Sequence, residues 1–263
     1  MAPVTPYLAM ISASVLFTLI IPLVKRYPVH IAYHILSINA VAVGIALVAN
    51  KQSKISPIEA LIQDPNRILV GVLFTLYTFC IIYGYSHVPM TVALPIFMTA
   101  PLVILFGSRY INGTVYTRKQ FTLTLLCLIG VIMITYVHIP DPIAQYKGVV
   151  ALVLASLGYG LAYVFLKKNA MNTTVSKSPM ERMHNQLLDI TLVPMLCTIV
   201  YILVKQPPGP SVQTIGILIV AYIMLSYAAQ MGYLYAFNNI PIGNFGIMLN
   251  VEIIAALLLG VLT

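Results

Sequence analysis

The sequence predicts an all-α polytopic membrane protein. Of its 263 residues, 60% are hydrophobic and 8% charged. A soluble domain carries about 25% charged residues, and no soluble fold of this size has interior enough for so much apolar side chain. The apolar residues fall in nine stretches, each close to the roughly 20 residues a helix needs to cross hydrocarbon. They are apolar on all sides and about twice as long as a barrel strand, without its alternation.

The stretches follow in order. The first covers about 5–24 and stops at Lys25-Arg26. MAPVTPYLAM lacks the basic region of a secretory signal and no cleavage site follows it, so a retained span is expected. The second covers about 30–50, and the third about 67–86. The fourth opens at Pro89, a good first-turn residue, and ends near Ser108. The fifth covers about 118–137, the sixth about 147–166, the seventh about 183–204 and the eighth about 212–237; the ninth opens at Pro241 and runs to Thr263. Pro95, Pro101 and Pro194 fall inside spans, where a missing backbone donor lets a helix bend.

Charge sets the expected orientation. With a cytoplasmic N-terminus, inside loops hold Lys51, Lys54, Arg67, Arg109, Arg118, Lys119, Lys167, Lys168, Lys177 and Arg182, ten of the 14 basic residues. Outside loops hold Lys25, Arg26, Lys147 and Lys205. This is a positive-inside bias for a cytoplasmic-type membrane. The net charge of +8 sits singly or in pairs beside apolar runs, so it reads as loop charge and not as a nucleic-acid surface. Cys80, Cys127 and Cys197 lie inside apolar runs and read as small hydrophobes. The histidines show no metal-ligand spacing, and no metal or cofactor is expected. The partners expected are the lipid bilayer and a small-molecule solute, with protons as a coupling ion; a homodimer is compatible with the pattern.

One element recurs. PMTVALPIFMTAPLVILFG from Pro89 and PIGNFGIMLNVEIIAALLLG from Pro241 each follow a Tyr-bearing span and a short loop. Each has a small, polar first half and an aliphatic second half. The fourth span thus resembles the ninth, one five-helix unit later. An odd number of spans per unit inverts the second copy, the architecture of many secondary transporters.

On these residues the chain resembles the EamA-domain family of the drug/metabolite transporter superfamily. The resemblance rests on YGYSHVPMTVALPIFMTAPLVILFGSRY followed by QFTLTLLCLIGVIMI, with Pro101, the Gly107–Arg109 turn, Gln120 and Gly130-Val131 at the motif positions. It implies two inverted five-helix halves, here 1–140 and 141–263, and carriage of metabolites such as amino acids or amines without ATP hydrolysis. The acid expected before Arg109 is Ser108, the central proline of the ninth span is replaced near Glu252, and the tenth helix is missing, so nine spans are expected.

Polar residues inside spans are costly and mark candidate sites. Glu252 lies 11 residues past Pro241, roughly 16 Å into the bilayer at the helical rise, with Asn250 beside it. A carboxyl there could hold a proton or a cationic group, or stay a neutral structural acid. Asp189 lies nearer the cytoplasmic face, close to Asn185 and Gln186, where it could also cap or snorkel. Tyr222, Ser226, Gln230 and Tyr233 make one polar helical face, either cavity wall or helix–helix glue. Tyr159 and Tyr163, one turn apart, could form an aromatic wall, with Tyr77 and Tyr83 as further candidates. Ser156 and Gly160 read as a packing pair. His34 takes a place where the family often has Arg, although a lone histidine is more often structural.

The leading function is therefore a secondary transporter of a small organic metabolite, such as an amino acid or amine, working by alternating access. Alternatives are a nucleotide-linked solute exchanger and a non-transporting or degraded membrane protein. No lysine or arginine is expected deep in a span, which argues against strongly anionic solutes. An enzyme is not expected, since GxSxG, HExxH and adjacent paired acids are missing. A channel would want polar rings through several spans.

Overall fold

The structure is a computed structural model that describes residues 4–19, 26–27, 29–50, 59, 62–97, 99–138, 142–172 and 178–249. No strand occurs among them. The helices are α1 (Thr5–Thr18), α2 (Ile31–Ala49), α3 (Pro65–His87), α4 (Met90–Phe97), α5 (Ala100–Asn112), α6 (Arg118–His138), α7 (Pro142–Asn172), α8 (Pro179–Lys205), α9 (Val212–Tyr222), α10 (Ala228–Asn239) and α11 (Ile242–Met248). A π-helical turn, Ile223–Tyr227, joins α9 to α10. Five helices among the described residues are long and apolar enough to cross a membrane: Ile31–Ala49, Pro65–His87, Tyr146–Ala170, Pro179–Lys205 and Val212–Asn239.

Local chemistry fixes the helix ends. Asp64 accepts from the Asn66 amide at 2.9 Å ahead of α3, with Pro65 in the first turn. Ser178 accepts from the Glu181 amide ahead of α8, and Ser211 from the Thr214 amide ahead of α9. Each satisfies an amide that the helix leaves open. Gly113, at φ 63°, closes α5 in the left-handed conformation, which glycine adopts without strain.

The fourth predicted span is not one continuous helix. It breaks between Phe97 and Ala100. Pro101 has no amide to donate to the carbonyl one turn earlier, so the ladder lapses there. Thr99 sits in the break; its hydroxyl donates to the Ile96 carbonyl and contacts Ser156 Oγ at 2.8 Å.

Two groups of helices build the bundle. In one, α3 packs along α7, which also meets α4 and α5, while α6 lies on α4 and α11 on α5. In the other, α2 packs along α8 and α9, and α1 along α10. Gly158 lets α3 and α7 approach: a Cβ there would sit 3.0 Å from the Leu73 carbonyl oxygen and 3.2 Å from the Tyr77 amide. The groups meet where α8 crosses α3.

Arg67 corrects the reading of the basic residues. Counted as a loop cation, it lies in the first turn of α3 and is only 6% exposed. A carboxylate on α8 explains its burial, since a buried charge needs a partner.

Candidate functional site

A cavity of about 240 Å³ lies between the two groups of helices. It is smaller than the ~300–1,000 Å³ clefts that hold drug-sized ligands, so it suits a small solute. α3 supplies Phe74, Tyr77, Thr78 and Ile81, and α2 supplies Ile31, His34, Ile35, Ile38 and Asn39; both sets follow the three-and-four spacing of one helical face. α7 adds Tyr159 and Tyr163, α4 adds Phe97, α1 adds Phe17, α8 adds Ile190 and Thr191, and α10 adds Gln230 and Tyr233.

The wall is an aromatic lattice. Tyr159 lies 4.8 Å from both Tyr77 and Tyr163 between ring centroids, and 5.3 Å from Phe97. Phe74 meets Tyr163 edge-on at 5.7 Å. These spacings fall in the favourable range for ring pairs, so the wall is a packed surface with fixed ring faces. Among the described residues that line it, none is Asp, Glu, Lys or Arg.

Most polar groups at the wall already have partners. The His34 Nε2–H donates to the Tyr27 carbonyl at 3.1 Å, and Nδ1 accepts from the Tyr222 hydroxyl at 2.5 Å. Both ring nitrogens are thus committed. Tyr233 Oη contacts Ser14 Oγ at 3.0 Å. The hydroxyls of Thr78 and Thr191 donate to the carbonyls of Phe74 and Leu187, one turn back in their own helices. Gln230 differs: its buried Oε1 has no hydrogen-bond partner. A buried acceptor left open costs free energy on the order of 1–3 kcal/mol, which a donor on a solute entering the cavity would recover.

The end of the bundle at Asn50, Arg67 and Asn185 is closed by polar contacts. Arg67 donates from Nε to Asp189 Oδ1 at 2.8 Å and pairs through Nη2 at 2.6 Å. Asn50 donates to Asn185 at 3.1 Å. Gln186 and Asn238 exchange two hydrogen bonds, at 3.2 and 2.7 Å.

The sequence-predicted candidates separate accordingly. Gln230, Tyr233, Tyr159, Tyr163 and His34 line the cavity. Asp189 lies just beyond it, held by Arg67. Ser226 is buried with its Oγ unpartnered and is not part of the lining. Tyr83 is 42% exposed, stacks on His87 at 4.0 Å, and borders a separate groove with Lys147 and Tyr201. Asn250 and Glu252 lie outside the described residues. Sequence reasoning missed Phe17, Asn39, Phe74 and Phe97 in the wall and Arg67 at the closed end. The Phe74–Tyr77–Thr78–Ile81 spacing is the signal that could have found the α3 face.

Among known proteins, the model of the EamA-like transporter family matches residues 4–136. No curated protein matches the chain.

Proposed function

Because the chain belongs to the EamA-like transporter family, and is thus a membrane transporter, we propose that it carries a small organic solute of the amine or amino-acid class by alternating access through the cavity between its two groups of helices. The observation that carries this reading is the open Gln230 acceptor in a wall of aromatic rings. Such a wall suits an apolar or cationic body, since ring faces attract cations, and Gln230 Oε1 suits an N–H donor. A strongly anionic solute finds no cation in the described lining, so the nucleotide-linked exchanger is the weaker reading.

Inverted halves are part of the proposal. The pairing of α3 with α7 has its counterpart in the pairing of α10 with α1, as expected if the third and sixth spans correspond to the eighth and first. Nine spans, with the N-terminus in the cytoplasm of a cytoplasmic-type membrane, complete the reading, and the bias of basic residues toward the inside loops of the sequence supports it. Glu252, on the ninth predicted span, is proposed as the proton carrier.

The test is a flux assay on the purified full chain in proteoliposomes. Radiolabelled amino acids, amines and nucleotides are offered with and without a pH gradient. Saturable uptake of an amine or amino acid is expected. Uptake restricted to nucleotide-linked solutes would replace the reading with the exchanger.

A further inference from the structure

The cavity lies off-centre in the bundle. It takes the N-terminal half of α2 and the middle of α3, from Phe74 to Ile82. Arg67 lies seven residues before Phe74, about 10 Å along the helix. Asp189 immediately precedes Ile190 and Thr191, which line the cavity. The ion pair therefore lies just beyond the lining residues, as a floor beneath them.

The floor joins the two groups of helices. Arg67 and Asp189 link α3 to α8. At the same end, Lys167 Nζ of α7 donates to the Phe237 carbonyl of α10 at 3.2 Å, and the Asn244 amide of α11 donates to the Tyr7 hydroxyl of α1 at 3.3 Å. All three contacts cross from one group to the other.

The floor also has a joint. Pro194 lies inside α8, five residues past Asp189. It leaves the carbonyl of Ile190, a cavity residue, without its helical donor. Thr198 donates its hydroxyl to the Pro194 carbonyl at 2.7 Å, a back-bond that often accompanies bending. Pro194 is therefore the point at which the first turns of α8 can bend relative to the rest of the helix.

We propose that the Arg67–Asp189 pair is a gate, which closes the cavity toward the face that carries Arg118 and Lys119 and opens by bending α8 at Pro194. The proposal rests on the transport reading, and it names the residues that must part in each cycle. Closed, the two charges satisfy each other out of water. Open, each is satisfied by water instead. An ion pair suits this exchange because its two states can be close in free energy, the desolvation of the charges offsetting their attraction.

The gate predicts effects of opposite sign. Asp189→Asn leaves Arg67 buried and uncompensated, so the open state, where the guanidinium is hydrated, becomes favoured. Replacing both partners, Arg67→Leu with Asp189→Leu, removes the gain from hydration and holds the gate shut. The experiment uses full-length protein with Cys80, Cys127 and Cys197 replaced by alanine and a reporter cysteine at Thr191. A membrane-impermeant maleimide is added to vesicles from the Arg118 face. Asp189→Asn is expected to raise the labelling rate about tenfold, and the double leucine variant to lower it below the parent. Lys167→Met, a milder change at the same end, is expected to raise it about twofold, and it decides the matter if Asp189→Asn is not recovered folded. Unchanged labelling in the single variants, or a rise in the double variant, overturns the gate. The readout needs no solute, so labelling that follows the prediction without any flux would sink the transport reading and leave the gate standing.

Discussion

The two ends of the cavity use polar groups in opposite ways. At the floor, Arg67 pairs with Asp189, Gln186 and Asn238 exchange two hydrogen bonds, and Asn50 donates to Asn185 while its own Oδ1 has no partner. In the wall, aromatic rings supply the surface, and Gln230 Oε1 is left open. A matched layer contributes to holding one arrangement of the helices. An open acceptor costs free energy until a donor reaches it. The first is a device for closure and the second for recognition, so substitutions in the two regions should separate stability and access from flux.

Glu252→Gln carries the largest expected effect. If the ninth predicted span brings a titrating carboxyl to the solute path, the variant loses all dependence of uptake on the pH gradient while still inserting in the membrane. Uptake by the variant that follows the gradient as the parent does would remove Glu252 as the proton carrier.

Gln230→Leu sharpens it next. Losing the open acceptor should reduce uptake at least about tenfold, the scale of one unmet buried hydrogen bond, with purified yield and thermal midpoint close to the parent. A fall in midpoint with uptake per folded molecule intact would class Gln230 as glue between helices.

Tyr222→Phe has the smallest effect on transport and probes the partner of His34, a matched group in the wall. It removes the hydroxyl that donates to His34 Nδ1, leaving a buried nitrogen open at a cost of about 1–3 kcal/mol. The thermal midpoint should fall and uptake by the folded fraction should stay. Lost uptake at an unchanged midpoint would give His34 a part in recognition.

Much of this was legible in the sequence, for identifiable reasons. Helix positions follow from apolar length, while the starts at Pro65 and Pro179 lay a few residues ahead of the predicted ones because the caps Asp64 and Ser178 sit in polar sequence outside the apolar run. Tyr159, Tyr163, Gln230 and Tyr233 stood out because polar and aromatic side chains in spans need a local reason. Arg67 did not, because a basic residue at the start of a span looks like any loop cation until its partner, 122 positions away, is known. Phe74 and Phe97 were hidden for the converse reason: in a chain this apolar, phenylalanine in a span carries no signal of which neighbour it faces. The break before Pro101 followed from proline chemistry, but a span drawn from hydropathy alone runs straight through it.

The π-helical turn at Ile223–Tyr227 makes the length of the chain, and not only its composition, part of the design. Such a turn holds one residue more than regular helix would, and each residue of helix advances the face by about 100°. Tyr222 before it is thereby aimed at α2, and Tyr233 after it at α1. Dropping one residue from the segment would leave composition and hydropathy almost untouched, yet would turn Gln230 through more than a quarter of a circle. Two relatives that align without a gap across this helix can therefore share the cavity face, while a pair separated by one deletion there cannot, however similar they read elsewhere.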